Sequence, residues 1–268
     1  MDRAVPVLLA GALLLTSSCG TKHTGGIVER EVTYQYHGTT LKGYLAYSGT
    51  LNAQRPGVLV VHEWWGNNDY PRHRARMLAE LGYVGFALDM FGDGKIADEP
   101  KSARALVSES MGNADEAKGR FEAAMGVLKH EPECDSTRIA AIGYCFGGGV
   151  VLTMARMGIP LAGVASFHGS LAARRRAEPG EIKGKILICT GAADANVPPD
   201  QVAAFKQEMD SARVDYSLFE YPGATHAFTN PAADSYARQF QMPIAYNEAA
   251  DHQSWEELQR FLKRVFAD

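Results

Sequence analysis

The chain has 268 residues, 46% of them hydrophobic and 22% charged, and a formal net charge of −4. That balance excludes disordered, fibrous and polytopic membrane classes and suits one α/β domain. The single basic cluster, Arg174-Arg175-Arg176, reads as a solvated loop, so a nucleic-acid partner has no support.

In chain order, Arg3 precedes an eleven-residue apolar run, Val5 to Leu15, followed by Thr16-Ser17-Ser18 and Cys19. Such a run is too short to span a bilayer and reads as a secretory signal over residues 1–18. Small residues directly before a cysteine resemble a bacterial lipobox, in which Cys19 becomes the lipidated first residue of the mature chain. The expected location is therefore the bacterial periplasm, free or membrane-anchored, with ordinary secretion after Ser17 or Ser18 as the alternative. Residues 19–27 read as a linker, and residues 28–268 as a single domain.

Val28 to Tyr47 alternates around Gly38-Thr39-Thr40, the pattern of a β-hairpin. Strands are then predicted at Val58–Val61, Tyr83–Leu88, Thr137–Ile142, Leu161–Phe167, Ile186–Thr190 and Tyr216–Tyr221. Between and after them come helices at Tyr70–Leu81, Lys101–Lys129, Gly148–Ala155 and Asp200–Ala212, and a last one ending near Phe266. An antiparallel hairpin leading into a mostly parallel, doubly wound sheet with helices on both faces is the expected architecture. Gly147-Gly148-Gly149 lacks the lysine of a P-loop and the spacing of a dinucleotide fingerprint, and no cofactor or metal is implied.

Chemistry centres on Gly143-Tyr144-Cys145-Phe146-Gly147, between a strand and a helix. This is the nucleophile elbow of α/β-hydrolases with cysteine in place of serine. Asp194 and His226 follow the next predicted strand ends, giving the chain order nucleophile, acid, histidine. His168, also at a strand end, is the main rival for the base. Another strand end carries Glu63 and Trp64, where such folds place the second oxyanion donor, so the backbone N–H groups of Trp64 and Phe146 are expected to converge. A carboxylate there should repel the oxyanion unless it is protonated or turned to another partner. Cys134 falls in a predicted loop and Cys189 in a predicted strand, and a bridge between them is left open.

These motifs resemble the dienelactone hydrolases, cysteine-dependent α/β-hydrolases, over roughly Val28 to Phe266. The resemblance implies Cys145 as nucleophile, His226 as base and acid, Asp194 as its orienting carboxylate, and Glu63 as the glutamate that contacts the nucleophile and helps form the thiolate when substrate binds. The family also holds its substrate carboxylate with arginines; here Asp89-Met90-Phe91-Gly92-Asp93 and His226-Ala227-Phe228-Thr229-Asn230 carry none. Dienelactone is therefore not the expected substrate. Trp65, Phe91, Phe228 and His168 are instead expected to line an apolar pocket for a neutral ester or lactone. Two rival readings are a ligand-binding lipoprotein without turnover and a thiol redox protein using Cys134 as the resolving cysteine.

Overall fold

The computed structural model describes residues 22–267 except 25 and 52. Nine strands form one sheet in the order β1-β2-β3-β5-β4-β6-β7-β8-β9. β1 (Lys22–Thr24), β2 (Ile27–Tyr36) and β3 (Thr39–Ser48) pair antiparallel, and β3 pairs antiparallel with β5 (Val84–Leu88). Beyond them β4 (Arg55–Val61), β6 (Cys134–Tyr144), β7 (Gly163–Phe167), β8 (Lys185–Gly191) and β9 (Tyr216–Tyr221) run parallel with β5. The expected linker over 19–27 is thus corrected in part: Lys22–Thr24 adds an edge strand to the sheet. Residues 1–21, with the signal pattern and Cys19, lie outside the described part.

The central strands are apolar on both faces because helices cover both. One face packs Leu59, Ala141 and Ile188 against α3 (Ala114–His130), α4 (Phe146–Arg156) and α5 (Pro199–Ser211). The other packs Val60, Ile142 and Leu187 against α1 (Asp69–Glu80) and α7 (Glu248–Ala267).

Two further expectations are corrected. The long helix expected over Lys101–Lys129 is two, α2 (Pro100–Met111) and α3, because Asn113 caps α3 by accepting the N–H groups of Asp115 and Glu116. Asparagine favours such a cap over a helix interior. Cys134 is the first residue of β6 and pairs with Arg55, so it is not in a loop. Its partner strand reaches Val61, opposite Gly143, six residues later, which puts Cys134 roughly 20 Å from the elbow. Cys189 lies level with Phe167 and hence with Tyr144. A disulfide between Cys134 and Cys189 is excluded by this separation, as is a resolving role for Cys134, and both are free thiols. A short helix absent from the sequence reading, α6 (Ala233–Phe240), precedes α7.

Asp89 directly follows β5, fully buried, and its carboxylate accepts four backbone N–H groups, those of Lys42, Phe91, Gly92 and Gly94. It shapes the loop that follows, while Arg120 donates to the carbonyls of Met90 and Phe91. Asp89→Ala strands these donors and is expected to cost about 2–4 kcal/mol in urea unfolding.

Candidate active site

Cys145, Glu63, Asp194 and His226 all follow the carboxyl ends of parallel strands: β6, β4, β8 and β9 in turn. The elbow is as tight as its glycines suggest. A Cβ on Gly143 would lie 2.1 Å from the carbonyl oxygen of Gly147, and one on Gly147 would lie 2.3 Å from that of Val61. Cys145 itself sits at φ 53° and ψ −114°, a conformation that L residues adopt only where the surroundings enforce it. It caps α4, so the Phe146 N–H is the first of the helix and has no acceptor within it.

The structure brings three of the expected residues into one line. His226 Nε2 stands 3.1 Å from Cys145 Sγ, and His226 Nδ1 donates to Asp194 Oδ2 at 2.9 Å. Asp194 is buried, and its other oxygen accepts the Asn196 N–H at 2.8 Å. Burial alone would suppress charge on His226, but the adjacent Cys145 sulfur and Asp194 carboxylate outweigh it and hold the imidazole well above its usual value. The arrangement can therefore store a proton on His226 while the sulfur attacks.

Glu63 is also buried beside the cavity, but its hydrogen-bond partner is Asn230, whose Nδ2 donates to Oε2. Without substrate the sulfur is faced by His226 and Glu63 is held by Asn230. Burial pushes the Glu63 carboxyl up to about 7, against the opposing pull of Asn230, His226 and Arg74. Asn230 stands four residues after His226, where the sequence comparison with dienelactone hydrolases noted a missing arginine. The absence was legible, but the new role was not.

His168 is not a rival base and not a pocket residue. Its ring is buried beneath the elbow, where Nδ1 accepts the Cys145 N–H at 3.1 Å and Nε2 donates to Thr229 Oγ1 at 2.7 Å. Burial, with His226 and Arg74 nearby, keeps it neutral. The Thr229 hydroxyl lies 2.6 Å from Tyr70 Oη, and Arg74 donates both to the Thr229 carbonyl at 2.7 Å and to Asp251. Thr229 and Arg74 carry no sequence signal of this role.

A cavity of about 770 Å³ opens over Cys145 and His226, walled by Glu63, Trp64, Trp65 and Phe146 among others. Trp65 lines it as expected; Phe91 and Phe228 do not. Phe91 is buried edge-on to His62, and Phe228 packs on His168 and Tyr221, because their backbones have already turned beneath the surface. The sequence reading missed Tyr236, Met242 and Ile244 from the α6 region, and Arg104, whose guanidinium lies over Trp64 at 5.8 Å. Arg174 and Arg175 are exposed, as expected of a loop, yet they edge the same cavity. Among the described residues no group of three or more His, Cys, Asp or Glu is arranged to hold a metal, and no helix is long and apolar enough to cross a membrane.

This mostly parallel sheet, with a cysteine, an aspartate and a histidine in contact at its strand ends, is the fold of an α/β-hydrolase. The sequence profile of the Dienelactone hydrolase family matches residues 41–266, and the chain belongs to that family. It is 28% identical to a protein of Saccharolobus solfataricus provisionally named carboxymethylenebutenolidase, over 89% of this chain and 99% of that one. Two solved structures are similar throughout. One, called m3DLH, is 35% identical with a TM-score of 0.83, covering 90% of this chain and 100% of the other. The second, a dienelactone hydrolase-like promiscuous phosphotriesterase, P91, from metagenomic libraries, is 32% identical with a TM-score of 0.82 over 90% and 99%.

Gly147→Ala should destabilise the fold by about 3 kcal/mol in urea unfolding, since the new methyl meets a β4 carbonyl that cannot swing aside.

Proposed function

We propose that this hydrolase cleaves carboxylic esters or lactones, with Cys145 as nucleophile. The observation that carries the reading is the continuous contact from Cys145 Sγ through His226 to Asp194 at 3.1 and 2.9 Å. The thiol proton passes to His226, directly or by way of Glu63, and the sulfur adds to the acyl carbon. The N–H groups of Trp64 and Phe146 receive the developing oxyanion, an interaction worth about 10²–10³ in rate per donor. Collapse of the intermediate breaks the C–O bond, and the alcohol leaves with the proton from His226. Water, deprotonated by His226, then cleaves the thioester and releases the acid. Asp194 holds the ring with Nδ1–H inward and stabilises its charge throughout.

Asn230 is central to how Glu63 behaves in this reading. An arginine there would hold Glu63 ionised; the neutral amide leaves it near 7, so that when substrate binds it can accept the thiol proton and pass it on to His226. The pocket offers aromatic and aliphatic walls near Cys145 rather than a carboxylate clamp at the family positions, which supports a substrate other than dienelactone. The reading includes export, with Cys19 lipidated, and a small-molecule partner only; the apolar run before Cys19 supports it.

A panel of neutral aryl and alkyl esters and lactones tests the activity. Cys145→Ala should lower kcat by about 10⁴ or more, and mass spectrometry of the wild type with a slow ester should find an acyl group on Cys145. Full activity in the variant would sink the assignment. In the wild type kcat/KM should fall as pH drops through about 7, because Glu63 is then protonated and no longer accepts the thiol proton. Asn230→Ala removes a hydrogen bond that favours the carboxylate, so its inflection should move to higher pH. Lipidation predicts that Cys19→Ser shifts the protein from the membrane to the soluble fraction.

A further inference from the structure

Helix α4 presents Cys145 at its start, and one of its faces continues the cavity. Phe146, Gly149, Thr153 and Met157 at its end are half-buried, while the helix residues between them are buried, and they are spaced by three, four and four residues on a single face. All four line the cavity that holds Cys145 and His226. The cavity is therefore a trough along the whole helix of 11 residues, about 16 Å at 1.5 Å per residue. Met111 and Ala114, on either side of the break between α2 and α3, belong to the same wall. The far end is polar: Arg175 lines it and donates to the carbonyl of Arg156, the last residue of α4.

We infer that the substrate is an ester whose acyl part is an extended apolar chain laid along α4. This rests on the hydrolase reading above and narrows its substrate class. An acyl carbon bonded to Cys145 Sγ sits at the start of the trough, and the half-buried stripe gives the chain an apolar floor from there onward. An extended chain advances about 1.2 Å per bond, so the trough takes roughly eight to twelve carbons before the arginines meet solvent. Gly149 keeps the floor low near the nucleophile: a Cβ there would meet only the Ser170 carbonyl, at 3.8 Å.

The test is the dependence of kcat/KM on acyl length for p-nitrophenyl esters from acetate to dodecanoate, with the purified protein. The expected profile rises about two- to fourfold per methylene up to decanoate. Thr153→Trp, in the middle of the trough, should lower the ratio of decanoate to acetate kcat/KM at least tenfold. Should that variant fail to fold, Met157→Trp at the far end should lower the ratio of decanoate to hexanoate. Acetate turnover with a profile that falls beyond butyrate, or ratios unchanged in the folded variant, would overturn the trough while leaving the hydrolase. A length dependence found in the alcohol part of acetate esters, and not in the acyl part, would overturn it as well. No turnover of any ester would instead sink the hydrolase reading itself.

Discussion

The Cys145 N–H, shared between the Phe167 carbonyl at 3.0 Å and the buried imidazole of His168 at 3.1 Å, ties the site together. Cys145 is held in a conformation its side chain disfavours, and its N–H bridges the fixed carbonyl that ends β7 and a ring nitrogen that can accept only while it stays neutral and does not move. His168 meets both conditions because its other nitrogen is spent on Thr229, which Arg74 and Asp251 anchor from α1 and α7. Thr229 also lies within the segment that carries His226 and Asn230. One buried network thus sets Cys145, His226 and Asn230, the partner of Glu63, at fixed distances from each other, so a shift in any one is resisted by packing on both faces of the sheet.

The network also sorts the ionisable groups by environment. His168 and His226 stand with ring centroids 5.3 Å apart, yet burial without an anion keeps the first neutral while the Cys145 sulfur and Asp194 raise the second. Glu63, equally buried, is met by an amide and not by a cation, and its proton affinity rises toward neutrality. Three titratable groups in one small volume are pushed to different proton affinities, which separates an acceptor, a donor and a fixed scaffold.

Much of this was legible in the sequence. Cys145 and Asp194 follow apolar runs that read as central strands, His226 follows the edge strand β9, and strand ends in an open α/β sheet share one crevice. What the sequence did not show is which way a side chain points once the strand has ended. His168 has a positive φ, 40°, that turns its ring under the elbow instead of into the pocket, and Phe91 and Phe228 are likewise drawn inward by loops whose hydrogen bonds are long-range. Thr229 reads as an ordinary polar residue because its side-chain partners, Tyr70 and His168, lie far away in sequence. Cys134 looked like a loop residue because polar Asp135-Ser136-Thr137 separates it from the apolar run, and the β4–β6 register shifts to absorb those residues. The α2–α3 break hinged on Asn113, a single cap within an otherwise helical pattern.

That break has a consequence for how the pocket can change. Because α2 ends at Met111 and α3 starts at Ala114, this part of the cavity wall is made of two helix termini joined by exposed residues, not of a strand or a helix interior. Insertions and substitutions in such a junction leave the sheet register and the elbow untouched. The reactive centre is built into the least alterable part of the molecule and the binding wall into one of the most alterable, so this scaffold can acquire new substrates by drift at a surface corner while its chemistry stays fixed.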